Sequence, residues 1–145
     1  MNIPVPIPGL VIRYSYLWRS EHLQGREEGV KERPCAVVLV TKRDDGDDSV
    51  TVLPVTHTPP VDPSLALEIP ATVKRQLALD GERSWIIFDE ANVFIWPGPD
   101  LRPVPGQDLS TVVYGILPPK FFETLKERLL RAAKARRARV VLRTD

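Results

Sequence analysis

The chain has 145 residues, a formal net charge of +1, and 43% apolar and 27% charged residues. That length suits one domain with a real core, and near-neutrality excludes a strong overall attraction to polyanions. The only cysteine, Cys35, excludes an intrachain disulfide and multi-cysteine metal centres; two histidines, His22 and His57, exclude a histidine-rich zinc site.

In chain order, Pro4, Pro6 and Pro8 make the start extended. That start has neither a basic region nor a continuous apolar run, and no run approaches the length of a membrane span. The expectation is a soluble, cytoplasmic protein. Gly9 opens a predicted strand over Leu10–Tyr16. The polar stretch Leu17–Lys31, with Gly25 and Gly29, reads as a long mobile loop. Two apolar β-branched runs, Cys35–Thr41 and Ser49–Thr56, flank Asp44-Asp-Gly-Asp-Asp48 and predict a hairpin. The acidic stretch reads as its turn, since it lacks the extended pattern of a calcium loop.

Beyond the hairpin, Thr58-Pro-Pro-Val-Asp-Pro63 is a rigid connection and Leu65–Ile69 a short strand. Pro70–Leu77 predicts a helical turn or two, Ser84–Phe88 a strand, and Asn92–Trp96 a continuation or partner of it. Pro97–Asp100 is a turn, and Val112–Leu117 a last short strand. Pro118-Pro119 starts the clearest helix, over about 119–138, with Phe121, Phe122, Leu125, Leu129, Ala132 and Ala133 on one face. From Lys126 to Arg143 there are eight Lys or Arg residues against one acid, a local basic surface. Several short strands plus one terminal helix predict a mainly β domain spanning 1–145. Its core would be a small, bent barrel over about 9–117 with helical additions.

Arg33 and the pair Thr56-His57 flank the hairpin, and Glu28 precedes it. These are groups that could hold and cleave a phosphodiester. RNA can be cut without a metal when its own 2′-hydroxyl attacks the adjacent phosphorus. A guanidinium suits the charge of the phosphorane, a threonine hydroxyl can orient a phosphate oxygen, and histidine or a carboxylate can move protons. Each residue also has a plainer reading: Arg33 as an ion-pair partner, Thr56 as a strand end, His57 as a turn residue and Glu28 as a solvated acid. Trp18, in the loop, is a candidate to stack on bases; Trp85 reads as core. Lys31 and Arg102 are candidate RNA contacts. Cys35 reads as a small buried hydrophobe.

Gly9-x-Val11-Ile-Arg, Glu28-x-x-x-x-Arg33-Pro34-x-x-Val-Val-Leu, Val52-x-Pro54-Val-Thr56 and Ser84-Trp-Ile-Ile-Phe-Asp89-Glu90 together resemble the MazF/PemK family. These are the toxins of type II toxin–antitoxin systems. The resemblance implies an SH3-like barrel with appended helices, a homodimer, and a metal-independent endoribonuclease that needs no cofactor and cuts single-stranded RNA such as mRNA. Arg33 and Thr56 match the family's active-site arginine and threonine, and Glu28 an acidic position of some members. A cognate antitoxin would block the groove with a segment that folds on binding. Two alternatives stay open. One is a growth inhibitor that binds a topoisomerase-type protein target through the same barrel without nuclease chemistry. The other is a nucleic-acid-binding module that uses the basic helix.

Overall fold

The computed structural model describes residues 3–26, 29, 31–106, 111–135 and 139–143. Eight strands dominate it. Strands β1 (Leu10–Tyr14), β2 (Arg33–Lys42) and β3 (Asp48–Thr56) come first, with a short helix, α1 (Arg19–Leu23), between β1 and β2. Strand β4 (Ala66–Glu68), helix α2 (Ala71–Gln76), β5 (Trp85–Ile87), β6 (Glu90–Ile95) and β7 (Val113–Ile116) follow. Helix α3 (Pro119–Lys134) and β8 (Arg139–Leu142) close the chain.

The strands run in the order β4-β5-β3-β2-β1-β7, with β6 also pairing β3 and β8 pairing β6. All the pairings are antiparallel except β6 with β8. Strand β3 is the hinge of this arrangement. Its first half, Ser49–Val52, pairs β6, and its end, Val55–Thr56, pairs β5. The β2–β3 register shifts by one residue between Val37 and Leu39, a bulge of the kind that bends a sheet.

Both faces of the central strands are buried, so alternation sorts side chains between two apolar clusters. Val11, Ala36, Val38, Leu53 and Val55 join Ile86, Phe88, Leu117 and Leu125 in one. Ile12, Tyr14, Cys35, Val37, Val50, Val52 and Phe94 form the other. Helix α3 covers the first cluster with Leu125 and Ala132 fully buried and Phe121, Phe122 and Leu129 half-buried against it. Ala133 is exposed, one step off that face.

The structure corrects several boundaries. The expected loop Leu17–Lys31 carries α1, which Glu21 caps by accepting from the Trp18 backbone N–H at 3.0 Å. Helix α3 ends at Lys134 rather than near 138, and Arg139 already belongs to β8. Arg143 explains this ending. Its guanidinium is buried and donates to the Ser15 carbonyl at 2.9 Å, Asn92 Oδ1 at 2.8 Å and Asp100 Oδ2 at 2.8 Å. A fixed five-donor fork is well suited to such a junction. Among the described residues no helix is long and apolar enough to cross a membrane.

Candidate functional site

Arg33 begins β2 and Thr56 ends β3. The register Ala36↔Leu53, Cys35↔Pro54, continued by two residues, sets Arg33 opposite Thr56. Arg33 is half-buried. Its Nη1 donates to the Val55 carbonyl at 3.3 Å, and the guanidinium lies 4.9 Å from the centre of the Trp18 ring. Its Nε is buried and has no hydrogen-bond partner among the described residues. Burial lowers the Arg33 pKa, with neighbouring Glu21 acting in the opposite sense. Arginine nonetheless stays charged at any ordinary pH.

Arg33 and Thr56 sit on a ridge between two clefts and line both, as does Lys31. The larger cleft, about 630 Å³, runs past His57, Lys74, Ser84 and Tyr114. Arg13 reaches this wall from β1 and donates from Nη1 to the Tyr114 hydroxyl at 3.0 Å. The smaller, about 370 Å³, runs past Trp18, Pro59, Pro60, Asp89 and Glu90. There Glu90 Oε1 accepts from the Tyr16 hydroxyl and the Arg19 N–H, both at 3.0 Å. Burial raises the Asp89, Glu90 and Tyr16 pKa values.

His57 follows β3 directly and enters a polar network. Its Nδ1 lies 3.0 Å from both the Arg83 carbonyl and Ser84 Oγ, and its Nε2 lies 2.8 Å from Asp80 Oδ2. Behind it sits Lys74, only 5% exposed. The ammonium donates to Asp80 Oδ1 at 2.6 Å, to Ser84 Oγ at 2.7 Å and to the Glu82 carbonyl. Three donors thus meet three acceptors, which is what a buried lysine needs. Local chain chemistry builds this. Helix α2 ends at Gln76, Ala78 follows in the left-handed region at φ 53°, and Asp80 Oδ1 accepts from the Glu82 N–H at 3.1 Å. Burial alone would raise the Asp80 pKa, but the Lys74 and Glu82 hydrogen bonds and His57 outweigh it and hold the carboxyl below its ordinary value.

The predicted residues therefore divide. Arg33, Thr56, His57 and Lys31 share the larger cleft. Trp18 lines the smaller one, and one face of its ring carries the Arg33 guanidinium, so it also positions that group. Arg102 lines neither cleft. It is tied to its own turn, donating to the Pro99 carbonyl at 2.8 Å, with Glu32 3.6 Å away. Glu28 lies outside the described residues. Lys74, Asp80, Ser84, Arg13 and Tyr114 were not predicted as site residues. Ser84 and Arg13 fall within the quoted family pattern, which was the signal for them; Lys74 beside Val73 carried no such signal.

Compared with known proteins, the chain matches no family model, no curated protein and no solved structure.

Proposed function

We propose that this protein is a MazF/PemK-like toxin, a metal-independent endoribonuclease that cuts single-stranded RNA, mRNA included, in the cytoplasm. The observation that carries the reading is the Arg33 guanidinium. It stands beside Thr56 on a ridge shared by two clefts, with a buried Nε that no group among the described residues satisfies. A guanidinium where two clefts meet offers a phosphate oxygen a charged, forked donor. Clefts on both sides give the chain room to continue past the bound phosphate in each direction.

In this mechanism the 2′-oxygen bonds to phosphorus as the bond to the 5′-oxygen breaks. Arg33 stabilises the charge that develops on the non-bridging oxygens, and Thr56 orients one of them. His57 Nε2, deprotonated and released from Asp80 Oδ2, takes the proton from the 2′-hydroxyl, and solvent water protonates the leaving 5′-oxygen. The products are a 2′,3′-cyclic phosphate and a 5′-hydroxyl. Lys31 adds positive charge where the two clefts meet.

Strand β3 pairing both β5 and β6, together with the β2 bulge, is consistent with an SH3-like barrel. The same reading has the protein act as a homodimer and a cognate antitoxin fill the larger cleft. The test is incubation of the purified protein with unstructured RNA in excess EDTA. Cyclic-phosphate ends are expected. Intact RNA at every protein concentration would sink the proposal.

A further inference from the structure

One group of side chains on the rim of the larger cleft has more order than proton transfer requires. His57, Asp80 and Glu82 each turn one donor atom to a common point, and the three atoms lie within 4.8 Å of one another. His57 Nε2 is 2.8 Å from Asp80 Oδ2 and 3.7 Å from Glu82 Oε2. A zinc ion bound at about 2.0–2.2 Å holds its donor atoms roughly 3–3.5 Å apart, so small side-chain movements suffice. Glu82 is free to make one, because its side chain is 74% exposed.

The surroundings of these atoms are the second observation. The Arg83 carbonyl lies 3.0 Å from His57 Nδ1, so an Nδ1–H donated there would let an ion at Nε2 replace the proton now shared with Asp80 Oδ2 at 2.8 Å. Asp80 uses Oδ1 for Lys74 and the Glu82 N–H, which leaves Oδ2 for the common point. A ligand histidine held through its other nitrogen and a carboxylate held through its other oxygen are the usual supports of a metal site. One imidazole with two carboxylates favours a zinc-type ion over magnesium or calcium, which take oxygen donors alone. The Lys74 charge beside Asp80 weakens the site without blocking it. Counting histidines in the sequence excluded a histidine-rich centre; it did not exclude one histidine joined by acids that a turn brings to it.

We propose that His57, Asp80 and Glu82 bind a zinc-type divalent cation, and that the bound ion inhibits the protein by occupying His57 Nε2. The inhibitory half rests on the endoribonuclease reading; the binding half does not. The test measures zinc binding by competition with a chromophoric chelator at neutral pH, alongside RNA cleavage with zinc or with EDTA. One zinc per chain is expected, with affinity falling about tenfold or more in His57→Ala and in Glu82→Gln and unchanged in His22→Ala. Cleavage by Glu82→Gln in EDTA should match the parent, and its inhibition should need about tenfold more zinc. Absence of one-to-one binding, or affinity unaffected by His57→Ala and Glu82→Gln, overturns the site. Zinc binding without any RNA cleavage in EDTA keeps the site and removes the nuclease reading. Cleavage that persists with zinc bound overturns the inhibition.

Discussion

Arg33 is the residue on which the site turns, and its surroundings set what substitutions should do. On the proposed mechanism, Arg33→Ala removes the charge that would face the phosphorane and is expected to lower the cleavage rate about 10²–10³-fold. Arg33→Lys should recover little, because an ammonium cannot reproduce the planar fork. Thr56→Val removes one hydroxyl and should cost about tenfold to a hundredfold. Trp18→Leu tests the contact that holds the guanidinium. It is expected to slow cleavage about three- to tenfold while leaving the circular dichroism spectrum unchanged, since the ring carries Arg33 at 4.9 Å. A Trp18→Leu variant that cuts as fast as the parent would show that the ring does not position Arg33.

At the scale of elements, the turn between α2 and β5 connects stability to pH. The Asp80 carboxyl is held below its ordinary value, so it stabilises the fold fully above the unfolded aspartate value of about 3.9. That contribution is lost as pH falls through the lower folded value. Urea midpoints of the parent and Asp80→Asn should therefore differ at neutral pH and converge in acid. A constant gap would contradict the link. This turn also marks where the sequence stopped being readable. The hairpin was legible because β2 and β3 are long, β-branched and separated by an Asp-Gly turn, which fixes their register and so places Arg33 against Thr56. Lys74 was not, because a charged residue next to an apolar helix position reads as solvated; three partners from a turn several residues downstream take it inside. Strand β8 escaped for a related reason. Its basic flank continued the helical pattern, and only the buried partners of Arg143 require the chain to turn back along β6.

Across the whole molecule, the C-terminal strand and the site share one support. Asn92 accepts from the Leu17 N–H at 2.9 Å and from Arg143 at 2.8 Å, so it ties the segment that presents Trp18 to the end of the chain. Arg143→Ala leaves the buried Asp100 carboxylate without its closest cation and should destabilise the fold by about 3–5 kcal/mol in urea denaturation. Arg139→Ala, at the start of β8 and exposed, serves as the control and should change little. In the proposed function, this frame holds Arg33 for metal-free cleavage of RNA. The most direct measurement is the single-turnover cleavage rate of unstructured RNA in excess EDTA, parent against Arg33→Ala. Cyclic-phosphate products from the parent and a rate about 10²–10³-fold lower in the variant are expected. No cleavage by the parent, or equal rates in the two proteins, would contradict it.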